Sequence, residues 1–146
     1  MRLNERSAPF VLLVATVLGC GRSTNDIETC FAVALTYNGS RAGTAYVRVD
    51  GSNANTSLLH GGPFPSIQAA IVTYANARIC STYNANPGDI PLTADAWIDA
   101  SGTEASICSD VHSPQCQPSS SDPQAHQTGT LHVGQLMTIN LDVVDH

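Results

Sequence analysis

The chain has 146 residues, only 12% of them charged, and a formal net charge of −6. This length corresponds to one domain. Its acidic balance excludes a nucleic-acid-binding surface, because such a surface must neutralise phosphates with lysine and arginine. The same charge disfavours electrostatic adhesion to anionic lipid, so any membrane contact is expected to come from an acyl chain.

The first residues have the pattern of an export signal. Two arginines precede an apolar run over 8–18, which ends at Gly19 and Cys20. A basic start, a short apolar run and a small residue are typical of a secretory signal peptide, and the run is shorter than the roughly 20 residues that span a bilayer. The tetrapeptide Val-Leu-Gly-Cys at 17–20 resembles the lipobox of bacterial lipoproteins. That resemblance implies cleavage before Cys20 and its lipidation; the alternative is an ordinary signal peptide that leaves a soluble product.

These features divide the chain into three parts. We predict a lipoprotein signal peptide over 1–19, a lipid anchor and tether over 20–29, and a folded domain over 30–146. The tether is short, polar and rich in small residues, as linkers are.

Four cysteines in the exported domain predict two disulfides. Sequence alone allows three pairings. The short, turn-rich segment between Cys108 and Cys116 favours a local bridge, which leaves Cys30 to pair with Cys80. A zinc site is the alternative, but the sequence has no Cys-x-x-Cys and the expected compartment is oxidising.

Alternating residues predict strands in the first half of the domain. Over 31–37 the odd positions are large and apolar and the even positions are mostly small, and over 44–50 apolar and polar residues alternate again. Such alternation is typical of strands with one buried face. The segment 51–65 is rich in Gly, Ser, Asn and Pro, which predicts a loop.

Residues 66–74 fit two patterns. A helix would place Ile67, Ala70, Ile71 and Tyr74 on one face, with Ser66 as its N-cap. A strand would place alternate residues on one face, and the β-branched content together with the neighbouring strands favours the strand.

The second half of the domain continues the strand pattern. We predict strands over 77–83, 92–99, 129–133 and 136–144, with a long loop over 100–128. Short alternating strands separated by turn residues predict an all-β fold, a single antiparallel β-sandwich of about seven strands.

Parts of this pattern resemble a known family. The segment Thr-Tyr-Asn-Gly-Ser-Arg-Ala-Gly-Thr-Ala-Tyr-Val at 36–47, the segment Ala-Trp-Ile-Asp-Ala-Ser-Gly at 96–102 and a closing strand after Gly134 resemble prealbumin-like β-sandwich modules of exported bacterial proteins. These include the transthyretin-like and carboxypeptidase regulatory-like groups. The resemblance covers 30–145 and implies a scaffold, which does not fix an activity. Such modules often carry Asp-x-Asp-Gly-Asn-Gly after this strand, whereas here Ser101 and Thr103 replace the second Asp and the Asn.

The acidic loop over 99–122 offers oxygen ligands for Ca²⁺. The candidate ligands are Asp99, Glu104 and Asp110, a partial set for an ion that takes six to eight oxygens. The alternative interpretation is that Asp and Ser side chains make local turns in a solvated loop.

Trp97 is the candidate platform for a sugar ring. An exposed Trp would stack on carbohydrate, whereas β-sandwich cores commonly bury one Trp in a central strand. The five histidines lack the spacing of a metal site.

No enzyme is expected. The sequence has no Gly-x-Ser-x-Gly nucleophile elbow, and no free cysteine remains if all four are bridged. We therefore predict a non-catalytic lipoprotein of the cell envelope that acts as a binding or structural module. The alternative is a secreted module that binds carbohydrate or Ca²⁺. The lipoprotein resemblance, with Gly21 after the anchor, implies the outer membrane of a Gram-negative bacterium. The expected contacts are the membrane and a protein or glycan partner, without nucleic acid.

Overall fold

Seven β-strands and one short helix follow one another in the computed structural model, which describes residues 26–146. The predicted signal peptide and Cys20 lie outside the described residues. The elements are β1 (Ile27–Tyr37), β2 (Thr44–Ser52), β3 (Ser57–Phe64), α1 (Ile67–Tyr74), β4 (Ile79–Tyr83), β5 (Ile90–Asp99), β6 (Gln124–Leu131) and β7 (Leu136–Val143).

The strands form two sheets that pack face to face. One sheet has the order β4-β1-β7 and the other has the order β3-β2-β5-β6. The predicted all-β sandwich of about seven strands is thereby confirmed. Most neighbouring strands are antiparallel, but β1 and β7 run parallel over Cys30–Tyr37 and Leu136–Val143.

The core lies between the sheets and follows the predicted alternation. Phe31, Val33 and Leu35 point inward from β1, and Val47 and Val49 point inward from β2. Each such side chain stabilises the fold by roughly 1.5–3 kcal/mol when fully buried. Alternating apolar residues therefore identify the inner faces of both strands.

The strand favoured for residues 66–74 is wrong, because Ile67–Tyr74 forms helix α1. The Ser66 hydroxyl accepts a hydrogen bond from the Ala69 amide at 3.2 Å, which caps the first turn. The helix buries Ile67, Ala70 and Tyr74, and it packs against β1, β2 and β3. Capping and burial of one helical face therefore outweigh the β-branched composition.

Two predicted loops contain strands. Within 51–65, Ser57–Phe64 forms β3, which pairs antiparallel with β2. Gly61 is required there, since a Cβ on it would overlap the Val47 carbonyl oxygen and its φ is 146°. Within 100–128, β6 already begins at Gln124, so the loop ends at residue 123.

Both disulfides have the pairing that the sequence favours. Cys30 lies directly opposite Cys80 in the β1–β4 ladder, and the two are joined. Cys108 is joined to Cys116 within the segment that links β5 to β6. Such bridges typically stabilise a domain by 2–4 kcal/mol each.

Candidate functional site

The outer face of the four-stranded sheet is half covered by residues 100–123, which we call the covering loop. Beneath this loop lies a second, small core of Tyr46, Trp97, Cys108, Val111 and Cys116. The Trp97 ring stacks on the Tyr46 ring with centroids 5.1 Å apart and is 0% exposed. Trp97 is therefore not the exposed sugar platform considered from the sequence, because the covering loop removes it from solvent.

Arg48 joins the covering loop to the sheet. Its guanidinium donates to the Asp95 carboxylate at 2.6 Å and 3.1 Å and to the Cys116 carbonyl at 2.9 Å. It also lies 5.6 Å from the centre of the Trp97 ring, a distance at which a cation is attracted to the face of an aromatic ring. Arg48 is only 8% exposed, so Asp95 supplies the charge partner that a buried guanidinium requires.

Two histidines lie against carboxylates at the margin of the covering loop. The Nδ1 atom of His126 lies 2.6 Å from Asp95, and the Nδ1 atom of His112 lies 2.5 Å from Asp50. A carboxylate at Nδ1 fixes the ring and its tautomer. Among the described residues, no serine, threonine or cysteine side chain is hydrogen-bonded to either ring.

Three buried carboxyl groups, those of Asp99, Glu104 and Asp122, meet under one end of the covering loop, with oxygens within 4.8 Å of one another. Asp99 accepts hydrogen bonds from the amides of Gly102 at 2.7 Å and Glu104 at 2.9 Å. Glu104 accepts from the Trp97 indole at 3.0 Å and from the Ser119 amide at 3.1 Å. The cluster therefore ties β5 to the covering loop.

Proximity and burial shift the pKa values of Glu104 and Asp122 in opposite directions. Burial, the hydrogen bond with Asp122 and the nearby negative charges raise the pKa of Glu104 to about 7. Burial alone would raise the pKa of Asp122, but hydrogen bonds from Glu104 and Ser119 outweigh it and lower that pKa. Close carboxyl groups do not ionise together readily, so below neutral pH Glu104 holds the proton and Asp122 the charge.

The structure brings together only part of the predicted calcium set. Asp99 and Glu104 meet, but the third member of the cluster is Asp122. Asp110 is not in the cluster, and its carboxylate accepts from the His112 amide at 2.9 Å. Asp99 and Glu104 already accept hydrogen bonds from protein donors, so their main structural work is to hold the loop.

Sequence reasoning missed Arg48 and the two carboxylate–histidine pairs. One signal was available. Arg48 and Asp50 alternate with the core-facing residues of β2, and Asp95 alternates with the core-facing residues of β5. This alternation predicts a row of polar side chains on the outer face of the sheet. The strand register that aligns Arg48, Asp95 and His126 across three strands is visible only in the fold.

Comparison with known proteins adds no relative: the chain matches no family model, no curated protein and no solved structure. Among the described residues, no helix is long and apolar enough to cross a membrane.

Proposed function

We propose that the protein is a non-catalytic lipoprotein of the bacterial cell envelope whose β-sandwich acts as a binding or structural module. The observation that carries this proposal is the apolar run that ends at Gly19 and Cys20. A lipid on Cys20 would hold the domain at the membrane through the part of the chain that precedes β1.

Two structural features support this proposal. The four cysteines of the folded domain form two disulfides, which persist in exported proteins and are rare in reducing compartments. The covering loop also buries the aromatic pair and Arg48 under a second core, which stiffens the face instead of opening a reaction cleft.

Metabolic labelling tests the proposal. The full-length gene is expressed in a Gram-negative bacterium that is fed radiolabelled palmitate, and membrane and soluble fractions are compared. We expect the wild-type protein to carry label in the membrane fraction. Cys20→Ala should lose the label and leave that fraction, whereas Ser23→Ala in the tether should behave like the wild type. An unlabelled wild-type protein would contradict the anchor and favour a soluble exported product.

A further inference from the structure

The loop between β1 and β2 begins with Asn38 and Gly39, an Asn-Gly pair that occurs nowhere else in the chain. Asn38 directly follows the last residue of β1, and both residues of the pair are exposed. Within the described residues, the Gly39 amide donates no hydrogen bond and the Asn38 side chain makes none. The pair is therefore open to water, and no hydrogen bond within the described part of the chain holds its reactive groups.

The contacts of residue 39 require a glycine. A Cβ on Gly39 would overlap the Tyr37 hydroxyl and the Asp145 carboxylate. The same hydroxyl donates to Asp145 at 2.8 Å and accepts from the Arg41 amide at 2.8 Å. Gly39 therefore lies against a network that ties the β1–β2 loop to the chain after β7, and a side chain at this position would disturb that network.

A glycine after an asparagine favours a ring closure between the two residues. A bond from the following backbone nitrogen to the Asn side-chain carbonyl carbon closes a five-membered ring, and a glycine gives that backbone the widest choice of conformations. Because both groups belong to one chain, the attack is intramolecular and gains from their proximity. Asn38 has this arrangement, whereas Asn84, which is also exposed, precedes Ala85.

We propose that Asn38 is a site of spontaneous deamidation. The Gly39 nitrogen loses its proton to hydroxide and bonds to Cγ of Asn38. The Cγ–Nδ2 bond then breaks, and the leaving nitrogen takes protons from water and departs as ammonia, which leaves a succinimide ring. Water adds to one of the two ring carbonyls: opening at Cγ gives aspartate, and opening at the backbone carbonyl gives isoaspartate. In sum, one water is consumed and one ammonia is released, without an oxidant or reductant.

The products change the loop in two ways. Each adds a negative charge directly before Gly39, which already contacts the Asp145 carboxylate. Isoaspartate also lengthens the main chain before Gly39 by one carbon atom, which displaces Gly39 from Tyr37 and breaks the hydrogen bond from the Arg41 amide to the Tyr37 hydroxyl. The modification therefore loosens the β1–β2 loop irreversibly as the protein ages. This inference is independent of Cys20 and of the proposed binding role.

Timed incubation followed by peptide mapping tests the site. Purified protein is held at pH 7 and at pH 9, digested with pepsin at acidic pH, and analysed by tandem mass spectrometry that distinguishes aspartate from isoaspartate. We expect Asn38 to convert about tenfold faster than Asn84, the ratio that a barrier difference of about 1.4 kcal/mol produces, and faster at pH 9. A rate at Asn38 no higher than at Asn84 overturns the inference. A product without isoaspartate also overturns it, because direct hydrolysis gives aspartate alone.

Matched variants connect the chemistry to the loop. Asn38→Gln keeps an amide but needs a six-membered ring, so it should gain little acidic product on ion-exchange chromatography. During the same incubation the Tm of the wild type should fall by about 4 °C, the shift that one lost neutral hydrogen bond produces, while that of Asn38→Gln should not fall. Asn84→Gln leaves the Asn-Gly pair intact and should age like the wild type. An Asn38→Gln protein that gains acidic product and loses Tm as the wild type does overturns the site.

Discussion

The proton held by Glu104 predicts that the domain loses stability as the pH rises towards neutrality. Its pKa is raised from 4.5 to about 7. A carboxyl group with a raised folded-state pKa contributes stability that is fully present below the unfolded pKa and is lost as pH rises through the folded one. The loss should therefore occur between about pH 4.5 and 7.

The size of the loss follows from the same values. The difference between about 7 and 4.5, at 1.36 kcal/mol per pKa unit, amounts to about 3 kcal/mol. For a domain of this length that corresponds to a fall in Tm of about 10 °C. Glu104→Gln removes the titration and keeps a side chain able to donate to Asp122, so its Tm should lack this fall.

The assay is thermal unfolding at pH 5, 6, 7 and 8 and constant ionic strength, followed by circular dichroism and by the fluorescence of Trp97, the single tryptophan. The two proteins differ at this one side chain, so the difference between wild type and Glu104→Gln isolates the glutamate. Glu28→Gln, at an exposed position, is the matched control and should follow the wild type. Parallel pH profiles for wild type and Glu104→Gln would refute the reasoning.

Three further results are expected. Thiol titration of the denatured, unreduced Cys20→Ala protein should find no free thiol, because both disulfides are formed; two or more thiols would contradict the structure. Millimolar Ca²⁺ should leave the melting curve unchanged, since Asp99 already accepts backbone amides. If the ion bound the folded domain, a free Ca²⁺ concentration of a hundred times Kd would instead add about 2.7 kcal/mol to the free energy of unfolding. The Tm would then rise by several degrees. Arg48→Met should cost roughly 3 kcal/mol in urea unfolding by leaving the half-buried Asp95 without its guanidinium partner, whereas Arg78→Met, outside this network, should cost little.

The alternation of apolar residues along the sequence predicts those strands whose core-facing residues are all apolar. Phe31, Val33 and Leu35 on β1, and Val47 and Val49 on β2, are large or branched, so the period of two is plain. It fails for β3, where Gly61, Gly62 and Pro63 resemble a loop sequence, although close backbone approach requires the glycine at Gly61. It fails again at the start of β6, because Gln124, His126 and Thr128 are polar.

Helix α1 was predicted to be a strand for a different reason. Ser66 and the spacing of Ile67, Ala70 and Tyr74 contain the helical signal, and the burial of these three side chains in the core decides in its favour. The buried acids share this limitation: Asp122 meets Asp99 across 23 residues of chain, and no local spacing encodes that contact.

The parallel pairing of β1 with β7 has a mechanical consequence. Eight residues of β1, Cys30–Tyr37, are aligned with Leu136–Val143. A pull on the chain before Ile27 and after Val143 slides these two strands along each other in opposite directions. Because the hydrogen bonds of a parallel ladder are evenly spaced along the strands, the load falls on them together and not one after another. A domain tethered near β1 and gripped beyond β7 would therefore resist force in shear, which is the stronger direction for a sheet.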